Sequence, residues 1–191
     1  MANKKDTTGS EPRQEADEPS RVKRSKSGAK ALAQAIYSKP GYLFRRSQQI
    51  AVSLFLEQSR ALDITPLQYG SMEVVRAYPG IDQSGLGNNL GLDRTTIVGI
   101  VDRLERKGWL IRKTSNVDRR MRLLFLTPLG EEQIRQMRPL SDVAQKKMLE
   151  PLGDQESKFF LDCLARIVSY HNDASRVPVG GRQRLIDGEA I

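Results

Sequence analysis

The sequence predicts a mainly α-helical protein carrying one small β-ribbon, or wing. Three observations predict it. Residues 93–108 hold a capped amphipathic helix. Two short strand candidates follow at 109–114 and 122–127, joined by a turn rich in arginine. Long helical patterns flank this segment at 42–62, 128–150 and 154–173. A helix followed at once by a cationic hairpin is the outline of a winged helix-turn-helix lobe. The flanking helices permit a helical dimerisation region, because stripes left unburied within one chain need another.

The elements follow in order. Residues 1–35 are expected to form a disordered basic tail, because Lys, Glu, Ser and Pro dominate and large apolar residues are few. Within it, residues 21–26 (RVKRSK) read as a solvated cluster or as an accessory phosphate-binding arm. Along 42–62, Leu43, Ile50, Leu54 and Ala61 make one stripe, broadened by Phe55 and Leu62. Thr65-Pro66-Leu67-Gln68 opens the next helix with a Thr cap, a Pro in the first position and a Gln three residues after the cap. Asp82 can cap a short helix over 83–90, and Asp93 the one after it. Ile97, Ile100, Val101 and Leu104 give that last helix a single apolar face, and Gly108 is placed to stop it. Thr127-Pro128 repeats the Thr-Pro opening for a long helix that Pro139 is expected to bend. Phe160, Leu164, Ile167 and His171 share a stripe on the final helix, and 175–191 reads as a loose tail. The expected division is 1–35 tail, 36–62 with 128–174 helical dimerisation region, 63–127 winged lobe, and 175–191 tail.

The polar residues of the lobe suit DNA. Arg94, Thr95 and Thr96 occupy the first turn of the 93–108 helix, where a recognition helix meets base edges. Arg103 lies further along it, and Ser84 opens the helix before it; both are weaker phosphate candidates. Arg119, Arg120 and Arg122 sit in or beside the hairpin turn, suited to phosphate or narrow minor-groove contact. Asp118 beside them would repel phosphate, so it reads as a brace that orients an arginine. Between residues 76 and 127 there are ten Lys/Arg against five Asp/Glu, within a chain of net charge +8. The bland alternative is a solvated amphipathic helix followed by a charged surface hairpin.

Other chemistries find little support. The glycine-rich stretch 84–91 is not GxGxxG, follows no strand and lacks the Lys-Ser/Thr of a P-loop. His171 is the sole histidine and Cys163 the sole cysteine, with no paired ligand spacing around them. No nucleophile–base set stands out, so the chain is expected to be no enzyme, with no metal and no cofactor. One cysteine permits no internal disulfide, and no apolar run reaches 18 residues. A cytoplasmic protein with no membrane partner is expected.

Here the sequence resembles the MarR family of bacterial transcription regulators. The matching runs are LDRTTIVGIVDRLERKGW and DRRMRLLFLTPLG, with ITPLQYGSMEVV and DQSGLGNNLGL fitting the two helices before them. PGIDQ and LDRTT resemble most the branch that regulates aromatic-acid catabolism, including hydroxycinnamate and nicotinate pathways. The resemblance implies a homodimer on a palindromic double-stranded DNA operator, most often a repressor. It makes Arg120 the minor-groove residue and Asp118 its brace. It also implies a small-molecule effector, an aromatic carboxylate or a derivative, held between helical region and lobe. Tyr42, Arg45, Arg46, Tyr69 and Met72 are the candidates to meet it, although Tyr69 and Met72 fit a plain core and the arginines a solvated face. The competing class is an architectural or protein-interaction winged helix without ligand control.

Overall fold

The computed structural model describes residues 26–180. The RVKRSK cluster, but for Lys26, and the end of the C-terminal tail lie outside the described residues. The chain divides into two compact units, one up to Leu43 and one from Phe44 onward.

The first unit shows helix α1 (Lys26–Leu32), a π-helical turn (Ala33–Tyr37) and the start of α2 (Pro40–Ser59). Tyr37 and Tyr42 pack their rings 5.1 Å apart. Residues 26–35, expected in the disordered tail, are therefore helical. Ala29, Ala31, Ala33 and Ala35, with Lys30 and Gln34 between them, are strong helix formers, and the sparse apolar content hid that propensity.

The second unit carries the rest of α2, then α3 (Pro66–Ala77), α4 (Gln83–Leu90) and α5 (Arg94–Arg106). The wing follows as β1 (Leu110–Thr114) and β2 (Arg122–Leu126), antiparallel, with Leu110 opposite Leu126 and Thr114 opposite Arg122. Helices α6 (Pro128–Leu149) and α7 (Asp154–Tyr170) complete it. The chain is mainly helical with a small wing, as its patterning predicts. Among the described residues no helix is long and apolar enough to cross a membrane.

Local chemistry sets the boundaries. Thr65 and Gln68 form the expected capping box, each side chain bonded to the other's backbone N–H. Asp82 caps α4 by accepting from Gly85 N at 2.7 Å. Gly108, at φ +70°, turns the chain out of α5, and its N–H donates to the Glu105 carbonyl. Pro139 lies inside α6, which continues through it to Leu149.

The core gathers where α3, α4, α5, the wing and α6 meet. The predicted α5 stripe is all there, with Ile97, Ile100, Val101 and Leu104 no more than 3% exposed. Ile134, Met137 and Ala144 of α6 are buried in the same cluster, so the hydrophobic core runs past the expected boundary at residue 128. The wing also gains a third edge. Leu124 N donates to the Ile81 carbonyl and Gly80 N to the Leu124 carbonyl, both at 2.9 Å.

Wing and α6 are joined with no slack. Thr127 N donates to the Trp109 carbonyl at 3.1 Å, while Thr127 Oγ1 accepts from Gly130 N at 3.0 Å and donates to the Gly108 carbonyl at 2.6 Å. A Cβ on Gly130 would overlap the Trp109 carbonyl oxygen. Gly130→Ala should therefore cost ~1–3 kcal/mol, as overpacking does. Gly41→Ala, where nothing lies within 4 Å, should be neutral or stabilising. Urea unfolding of the two variants checks the contrast; equal stabilities would contradict the tight junction.

Candidate nucleic-acid interface

Helix α5 presents its first turn outward, with Asp93, Arg94 and Thr95 exposed. Asp93 accepts from Thr96 N and Thr96 Oγ1, each at 2.9 Å. Those bonds, the backbone one foremost, hold the Asp93 carboxyl below the usual carboxylate range. Thr96, expected among the base readers, donates its hydroxyl proton to the cap, which leaves its methyl and its hydroxyl lone pairs to meet a base. Arg94 and Ser84 come together, sharing a cleft with Asn88 and Asp93.

Arg103 borders a different cleft, with Asp63, Thr65 and Gln68. Its guanidinium reaches back to within 4.0 Å of where a Cβ on Gly99 would stand. The missing side chain at Gly99 leaves that strip of α5 open.

The wing turn is organised by its polar side chains. Ser115 is buried, and its hydroxyl accepts from Val117 N at 3.1 Å and Asp118 N at 3.3 Å. Asp118 Oδ1 accepts from Arg120 N at 2.9 Å. The carboxylate therefore braces Arg120 through its backbone rather than its guanidinium. Val117, at 98% exposure, marks how far the tip protrudes. Among the described residues no side chain meets the guanidinium of Arg119 or Arg120, and both are exposed. Arg122 instead donates across the ribbon to Thr114 Oγ1.

Arg112 escaped the sequence reading. Lying on β1, it pairs with Asp102 and Glu105 on the outer side of α5. This bracket fixes the wing against the recognition helix. Its only trace in the sequence is two acids three apart followed by a strand arginine, a pattern shared by many surface helices. Lys107 is likewise occupied, bonded to Asp63 and seated 4.5 Å over the Trp109 ring.

The effector candidates separate. Met72 is fully buried in the core, so it offers a ligand no surface; the apolar face it shares with Val75 is packing. Arg45 and Arg46 donate to Gln49, near the start of α2. Phe55 lies about 15 Å further along α2 from Arg45, and the Tyr69 ring packs against it at 5.9 Å. The Tyr69 hydroxyl donates to Glu73 at 2.8 Å, and Glu73 receives both prongs of the Arg138 fork at 3.1 and 3.2 Å. Burial and the Glu73 bond push the Tyr69 phenol up to about 12. Burial pulls Glu73 upward as well, but the bonds from Arg138 and Tyr69 outweigh it and hold the carboxyl low. Tyr42 packs on Tyr37 within the first unit.

A capped helix with an open cationic first turn, locked to an arginine-tipped wing, defines a winged helix-turn-helix DNA-binding protein. The comparisons agree. A sequence model of the MarR family matches residues 64–121. A protein of Thauera aromatica named as the transcriptional regulator for the hcr operon is 31% identical over 144 residues, covering 75% of this chain and 85% of its own length. The structure of the repressor CouR bound to a 23-mer DNA duplex superposes with a TM-score of 0.67 at 28% identity, over 72% of this chain and 96% of CouR. The regulator PcaV of Streptomyces coelicolor, in complex with its natural ligand, gives 0.63 at 32% identity, over 69% and 93%. The chain belongs to the MarR family of DNA-binding transcriptional regulators, which are not enzymes.

Two outcomes follow. Arg120→Ala should weaken binding to a duplex selected by this protein from a random pool by roughly tenfold, with a shallower salt dependence. Fluorescence anisotropy at several salt concentrations reads it, and unchanged affinity and slope would remove the wing from the interface. In a spectrophotometric titration Tyr69 should ionise near 12, and Tyr69→Phe should abolish that phase. Because the folded value lies above the unfolded one of about 10, the stability from neutral Tyr69 is present below pH ~10 and lost as pH rises through the folded value.

Proposed function

We propose that this regulator binds a palindromic operator as a homodimeric repressor and that an aromatic-acid-type effector releases it. The observation that carries the dimer is the apolar face of α7. Phe159 is 69% exposed, Phe160 37%, Ile167 45% and Tyr170 83%, all toward one side of a helix that a lone chain leaves open to water. Exposed apolar area on this scale calls for a partner, and a second copy offers the same face by two-fold symmetry. Two copies place two α5 helices on successive major grooves, about 34–36 Å apart.

In each copy Arg94 and Thr95, with the Thr96 methyl, read bases. Arg119 and Arg120 enter the minor groove or hold its phosphates. Ser84, Arg103 and Arg122 add backbone contacts, and Asp118 keeps the wing turn in shape.

The effector reading rests on a cleft of about 460 Å³ between α2, α6 and α7, lined by Val52, Phe55, Pro66, Ala144, Met148 and Leu164. That size and apolar lining suit an aromatic ring. Gln48 stands at the cleft, and Arg45, one helical turn before it on the same face, is placed to meet a carboxylate. Tyr69 closes on the cleft through Phe55. Among the relatives, CouR has also been solved bound to p-coumaroyl-CoA, an aromatic acid thioester. A ligand filling this cleft acts by favouring one setting of α2 and α7 over another.

Sedimentation velocity should show one selected duplex carrying two chains, each of 21.5 kDa. Benzoate- or hydroxycinnamate-type acids, or their CoA thioesters, should strip the protein from the duplex. One chain per duplex would contradict the dimer; a full panel without release would contradict the effector class.

A further inference from the structure

Beyond α7 the chain does not drift away as a loose tail. After a short 3-10 turn (Asn172–Ala174) it bends at residues 175–177 and continues without helix or strand to Gly180. Asn172 is buried and clamps Val179 from both sides: its Nδ2 donates to the Val179 carbonyl at 3.1 Å and its Oδ1 accepts from Val179 N at 2.9 Å. Gly180 N donates to the Asn88 carbonyl at 3.0 Å, satisfying an end carbonyl of α4. Against this strap sits Gly91, at φ +63°, where a Cβ would lie 3.1 Å from Val179 Cγ2 and 3.3 Å from the Val177 carbonyl. The strap is thus seated on the turn between α4 and α5.

At its outer bend, Ser175 Oγ bonds the Val177 backbone, accepting from its N–H at 3.3 Å and donating to its carbonyl at 3.1 Å. The bend carries Arg176, which is exposed. Val177 beside it walls the cleft shared with Ser84, Asn88, Asp93 and Arg94. Arg176 is near enough to Asp93 for its charge to act on that carboxylate.

We infer that the strap is a third DNA-contacting element, in which Arg176 binds a backbone phosphate at the edge of the groove that α5 enters. The chemistry is that of a charge-assisted phosphate contact without base reading. The strap flanks the reading surface and does not hide it: with the strap seated, Ser84, Arg94 and Thr95 stay exposed. That favours a contact over self-shielding. The inference rests on the DNA-reading surface proposed above.

The test uses the full chain, anisotropy, a duplex selected from a random pool, and poly(dA-dT). Arg176→Ala should weaken both DNAs about three- to tenfold, and the salt slope should fall by about one for each copy bound. Arg176→Glu should weaken them further. Asn172→Ala, with its melting curve checked, should match Arg176→Ala because the strap is no longer seated. Affinities and slopes unchanged in both Arg176 variants, while Arg120→Ala still weakens binding, would overturn this inference and leave the proposed function standing. Tighter binding by Arg176→Ala would overturn it in favour of a shielding strap. A wild-type chain that binds neither DNA would overturn both.

Discussion

Everything the interface does depends on the few residues where four elements are locked together. The end of α5, both bases of the wing and the start of α6 meet around Trp109. Its carbonyl receives Thr127 N, its ring lies under Lys107, and its backbone occupies the space a side chain at Gly130 would need. Thr127 closes the set by capping α6 while bonding the Gly108 carbonyl. Backbone hydrogen bonds and a steric limit permit one arrangement, because packed interiors do not deform continuously. The recognition helix and the wing are therefore carried by α6 as one piece.

Further bridges reinforce that piece. Arg112 binds the acids on the outside of α5, and the Arg138 fork ties α6 to Glu73 on α3. Exposed ion pairs of this kind contribute little to stability. Their value is geometric: they remove rotations that would blur the distance between Arg94 and the wing tip. The cleft proposed for an effector lies where α2, α6 and α7 meet. The Tyr69–Glu73–Arg138 network ties α3 to α6, with the Tyr69 ring against Phe55 of that cleft.

What the sequence disclosed, and what it did not, divides along physical lines. Local devices were legible: the Thr65 box, the Asp82 and Asp93 caps, the Thr-Pro start of α6 and the α5 stripe all act over three or four residues. Features that join distant segments were not. The edge made by Gly80 and Ile81, the Arg112 bracket and the strap on Gly91 need partners brought together only by folding. Two residues fall between these cases. Met72 fits a plain core in the sequence, and it is fully buried in one. Thr96 offers a methyl to DNA in the sequence, and only folding shows its hydroxyl bonded to Asp93. The helix over residues 26–37 was masked by composition, since alanine supplies propensity without supplying a core.

The proposed function requires two rigidly mounted α5–wing pairs to read DNA together. Hydroxyl-radical footprinting of the protein on a selected palindromic duplex tests it most directly. Two protected half-sites should appear, their centres one helical turn, about 10–10.5 bp, apart, with added minor-groove protection where each wing lies. A single protected half-site, or even protection with no preferred register, would contradict it.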